Sequence, residues 1–168
     1  MKKLSGNQST PTRTQPAREG LISAISVGAV FILIGVIYIN TPDLWSKIGA
    51  FLGSFTSTTV ASTGVTIPAP QFPTSHAVLY GAVFQFSIGI GILEILLLAL
   101  RLLLRSPIRK TAETVGNLVF WFGASYLVTT YLNGATTINQ WFVFWAGILM
   151  IGGLSLIARG FVLLARRI

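Results

Sequence analysis

Four apolar runs, parted by short polar breaks, dominate the chain. They cover residues 21–39, 77–100, 115–132 and 138–158. Each is close to the roughly 20 residues that a helix needs to cross a ~30 Å hydrocarbon layer. Backbone groups in lipid must be satisfied within their own segment, so each run predicts a helix. The first run holds no charge, the second only Glu94, and the third is the shortest and most polar. A polar stretch precedes the first run and no small-residue cleavage site follows it, so it reads as a retained helix rather than a signal peptide.

Composition agrees with lipid as the solvent. Of 168 residues, 52% are hydrophobic and 10% charged, against about 25% charged in a soluble domain. The mean hydropathy is +0.74. The formal net charge of +8 would suggest nucleic acid in a soluble protein. Here the basic residues cluster at the ends of apolar runs, with no basic face interleaved with stacking aromatics, so nucleic acid is not an expected partner. There are no cysteines, which removes disulfides, thiol catalysis and thiolate metal sites.

Lysine and arginine set the expected orientation. Lys2, Lys3, Arg13 and Arg18 precede the first run. Arg101, Arg105, Arg109 and Lys110 lie between the second and third, and Arg159, Arg166 and Arg167 come at the end of the fourth or after it. Four spans place all of these on one side and leave Lys47 on the other. The positive-inside rule then puts both ends in the cytoplasm, next to anionic lipid, in a cell membrane.

The connections carry further signals. Residues 1–19 are polar and predict a disordered cytoplasmic tail. Thr41, Pro42 and Asp43 read as a helix start, with Thr41 as N-cap. Leu44, Ile48, Phe51, Leu52 and Phe55 then recur at helical spacing, predicting an amphipathic interfacial helix over residues 42–55, with Trp45 at the interface. Residues 56–75 are rich in Ser, Thr and Pro and predict an extended, loosely ordered outer loop. Ser106-Pro107 reads as a helix start, with Arg109 and Glu113 paired four residues apart. Asn133-Gly134 offers a left-handed helix end, and so short a loop makes the third and fourth spans antiparallel neighbours.

Glu94 is the single ionisable residue inside a run, and a charge near the bilayer centre costs about 2.5–3.5 kcal/mol on insertion scales. Helical spacing aligns it with Ser87, Gly91 and Arg101. A depth count from the inner boundary puts it level with Gly28, Ser125, Tyr126, Gly152 and Gly153. Glu94, Ser87, Ser125, Tyr126 and Arg101 thus form a candidate intramembrane polar site. Gly28, Gly35, Gly91, Gly152 and Gly153 are candidate packing positions, because small residues let helices approach. The carboxyl then either holds helices together or handles a proton or cation.

Other chemistry is poorly supplied. Ser75-His76 lacks a converging acid, and adjacent helical residues point apart. A lone histidine cannot hold a metal, so neither metal nor cofactor is expected. Trp141 and Trp145 read as boundary anchors. Thr58-Thr59-Val60, after a span and a short helix, resembles the start of a potassium-channel filter. The resemblance ends there, because Ala61-Ser62-Thr63-Gly64 lacks alternating glycines. The expected fold is an all-α, four-helix membrane bundle with an external interfacial helix over residues 20–168. The expected function is a non-catalytic small subunit or scaffold with homo- or hetero-oligomeric membrane partners. The alternative is a small ion channel or proton-coupled transporter using Glu94.

Overall fold

A computed structural model describes residues 14–60 and 63–165. The chain is mostly helical, at 79%, and three of its helices are long and apolar enough to span a membrane. The described residues form four long helices, α1 (Thr14–Asn40), α3 (Ala77–Leu103), α4 (Ile108–Tyr131) and α5 (Ile138–Leu164), with a shorter α2 (Leu44–Gly53) after the first. α4 carries Arg109, Lys110, Glu113 and Asn117 and is not one of the three.

Residues 14–19 are helical in α1 and not the disordered tail expected there; residues 1–13 lie outside the described residues.

Between α2 and α3 the described residues form a hairpin and a short turn, not the loose segment expected. β1 (Phe55–Thr59) pairs antiparallel with β2 (Thr66–Pro70), from Phe55 opposite Pro70 to Thr59 opposite Thr66. Gly64 turns at φ 68° between them. A two-stranded ribbon has only edge strands, so Pro68 and Pro70 can sit where their missing N–H groups are not required. Thr58 and Thr59 are ladder residues here, so the filter resemblance has no counterpart in the structure. A 3₁₀ turn, Pro73–His76, leads into α3.

Two helix boundaries differ from expectation. Asp43, not Thr41, is the N-cap of α2, in a left-handed conformation at φ 57°. Thr41 is buried and its N–H still donates to Ile37, 2.9 Å away, prolonging the α1 pattern. The α4–α5 turn does not use a left-handed Asn133-Gly134. The buried Thr136 hydroxyl instead reaches the carbonyls of Tyr131 and Asn133 at 2.9 and 2.8 Å. Thr137 and Gln140 then close a capping box on α5.

The long helices pack in the order α1–α3–α4–α5, each chiefly against its neighbour, with no substantial α1–α5 contact among the described residues. The arrangement is an open row and not a closed bundle. Periodicity could not foresee this, because a lipid-facing and a helix-facing stripe are equally apolar. At one end the row is capped. Phe51, Phe55 and Ala69 of α2 and the hairpin pack around Trp141, Tyr80, Leu127, Val128 and Phe144. Phe51 and Trp141 have ring centroids 5.8 Å apart. Trp141 is therefore core, 4% exposed, and not the boundary anchor expected, while Trp145 is 49% exposed.

Candidate functional site

α3 and α4 run antiparallel, as their contacts show. Phe86 meets Trp121, Gly91 meets Phe122, and Arg101 meets Thr114. Gly91 makes room for this approach: a β carbon there would lie 3.0 Å from the Phe122 ring, so the ring would have to shift. One turn below that contact, the Asn117 amide donates to Glu94 Oε1 over 3.0 Å. Asn117 is exposed and Glu94 half-buried, so the pair opens to the surface of the row.

The remaining expected partners of Glu94 lie elsewhere. The Ser125 hydroxyl donates to the Phe122 carbonyl at 2.8 Å, within its own helix. Tyr126 is 67% exposed. The Ser87 hydroxyl donates to the Val83 carbonyl at 2.8 Å. Arg101 makes no ion pair with Glu94; its guanidinium donates to the Lys110 carbonyl and the Thr114 hydroxyl at the start of α4. Arg101 thereby pins α4 to the end of α3.

Asn117 was the missed residue, and a signal for it existed. Glu94 lies seven residues from Arg101, and Asn117 lies seven residues from Lys110. Because Arg101 grips the Lys110 carbonyl, the correct depth origin on α4 is Lys110. Ser125 and Tyr126 lie eight and nine residues farther along α4.

Of the five candidate packing glycines, only Gly91 touches a neighbouring helix. Gly28, Gly35, Gly152 and Gly153 have open space where a β carbon would stand. The close approaches fall at Gly89 on Leu33, Gly116 on Ser155, Gly123 on Ile151 and Gly147 on Leu127. Sequence spacing cannot tell a glycine on a packed face from one facing outward when both faces are apolar.

A second polar group gathers near the start of α4. Glu113 meets Arg159 of α5 at 3.1 Å and Lys110 at 3.1 Å, with Arg109 at 3.8 Å. The basic α3–α4 junction and the end of α5 therefore share one end of the molecule. The Lys110 hydrogen bond holds the Glu113 carboxyl below its usual range, with attraction from Arg159 and Arg109 adding to it.

His76 meets Ser54, not Ser75: Ser54 Oγ and His76 Nε2 are 3.1 Å apart. The Ser54 hydroxyl donates to the Phe51 carbonyl, 2.7 Å away, so its oxygen is free to accept from His76 in the tautomer that carries the proton on Nε2. The pair ties the end of α2 to the start of α3. Among the described residues no three His, Asp or Glu come together as a metal site would need.

No family model matches the chain, and no curated protein or solved structure matches it.

Proposed function

We propose that this is a multi-pass protein of the cell membrane, with four spans and both ends cytoplasmic. Its work is to associate, as a non-catalytic subunit or scaffold of a membrane assembly. α2 and the hairpin lie at the outer boundary in this reading. The basic residues gathered around Glu113 favour that orientation, because the cationic ends of three helices then share the cytoplasmic leaflet and its anionic lipid.

The observation that carries the functional reading is the Glu94–Asn117 pair. Glu94 lies ~10 Å from Arg101 at 1.5 Å per residue, well inside the hydrocarbon. A carboxyl and a carboxamide that open to the surface at that depth should not face acyl chains. An open row of helices leaves room for another helix to cover them. Among the described residues Glu94 Oε2 and Asn117 Oδ1 make no further bond, and a neighbouring helix can satisfy both.

The test is assembly of the intact chain in mild detergent and in vesicles, followed by energy transfer between labelled copies and by co-purifying subunits. Glu94→Gln keeps an acceptor and is expected to preserve the assembly. Replacing both residues by leucine is expected to disperse it while α3 and α4 stay packed. A channel or proton-coupled carrier becomes the better reading if Glu94→Gln leaves assembly intact yet abolishes a pH-dependent flux in liposomes.

A further inference from the structure

A groove of about 550 Å³ lies between the capping elements and the first half of α5. One wall is Phe51, Phe55, Ile67 and Pro68. The other is Trp141, Trp145 and Leu149, with the small Ala146 between them. The walls come from α2, the hairpin and α5, so the tertiary fold alone creates the cleft. Its volume is in the ~300–1,000 Å³ range of ligand pockets. Its rim is apolar and open: Ile67 is 41% exposed, Trp145 49% and Leu149 77%.

We propose that this groove holds one acyl chain of a bilayer lipid. The proposal rests on the reading that α5 crosses the membrane.

Dimensions favour that occupant. Trp141 to Leu149 is ~12 Å of helix at 1.5 Å per residue, close to the ~15 Å depth of one leaflet's hydrocarbon. A peptide laid extended in the groove would leave its N–H and C=O groups unsatisfied against walls whose side chains offer only two indole N–H groups. A methylene chain has no such need. Trp141 and Trp145 begin α5 where the aromatic belt of a span stands, and Leu149 lies deeper, so the cleft runs from the boundary into the hydrocarbon.

The experiment uses the full chain, purified in a mild detergent and stripped of lipid. The probe is phosphatidylcholine brominated in mid-chain, which quenches nearby tryptophan. Trp141 and Trp145 are the built-in reporters. Saturable quenching is expected, at one lipid per chain by native mass spectrometry. Ala146→Phe, which fills the cleft, is expected to weaken it about tenfold. Ile67→Asn acts from an exposed strand position and is expected to weaken it in the same direction, should Ala146→Phe misfold. Leu156→Phe, on an exposed position farther along α5, should leave it unchanged. Quenching that tracks the micelle's brominated fraction and ignores both groove variants overturns the proposal and leaves the membrane reading standing. Cross-linking through position 145 to another chain, with lipid excluded, also overturns it. A chain that stays dispersed in water without detergent overturns both.

Discussion

The Ser155 hydroxyl of α5 donates to the Gly116 carbonyl of α4 over 2.7 Å, at a point where a β carbon on Gly116 would stand 3.1 Å from the Ser155 carbonyl oxygen. The missing side chain and the interhelical bond are one feature, because the helices can share a hydroxyl only where their backbones come this close. Ser155→Ala is expected to cost about 0.6 kcal/mol, the average for such bonds in a membrane protein. Gly116→Val must push against backbone and is expected to cost about 1–3 kcal/mol. Unfolding in mixed micelles measures both, and equal losses would mean that the close approach carries no energy of its own.

Glu113 makes stability depend on pH in a definite direction. Its carboxyl is held low chiefly by the Lys110 hydrogen bond. A folded-state value below the unfolded one, about 4.3, stabilises fully above the unfolded value and fades as pH falls through the folded one. The groups are partly exposed, so the effect is expected to stay below about 1 kcal/mol. The thermal midpoint should therefore drop as the solution is acidified below about pH 5, and Glu113→Gln should flatten that slope. An unchanged slope in Glu113→Gln would assign the acid sensitivity to another carboxyl.

Tyr80 is 3% exposed, and its hydroxyl has no partner among the described residues. Its ring is nonetheless well used, 6.4 Å from that of Phe51 in an edge-to-face contact. Removing an unsatisfied hydroxyl while keeping the ring should be neutral or stabilising, by up to about 1 kcal/mol. Thermal unfolding of Tyr80→Phe checks this. A clear loss of stability would show that the hydroxyl is engaged.

Asn117 and Glu94 should be energetically coupled. A cycle of Glu94→Leu, Asn117→Leu and the double variant is expected to give about 0.5–2 kcal/mol of interaction. Additive losses would mean that the 3.0 Å bond contributes nothing to holding α3 on α4.

Much of the helical layout was legible in the amino-acid order. The four apolar runs mark where α1, α3, α4 and α5 lie, although each helix outruns its apolar stretch at one or both ends. The Arg109–Glu113 pair was also visible at its four-residue spacing. The polar site was only half legible. Glu94 stood out as a lone acid, whereas Asn117 could be found only once Arg101 was known to grip Lys110. The hairpin was obscured by its own prolines and threonines, which are common to turns, strands and loose segments alike.

Amino-acid order alone determined where helices form and which stretches are apolar enough for lipid, because backbone hydrogen bonding and transfer free energy act locally along the chain. Tertiary structure decided which faces meet. It turned Trp141 inward and left Trp145 at the rim, chose Gly116 over Gly153 for contact, and opened the row so that Glu94 and Asn117 reach the surface. Where solvent and protein interior are both apolar, hydrophobicity no longer separates inside from outside, and only shape and hydrogen bonding between helices make that choice.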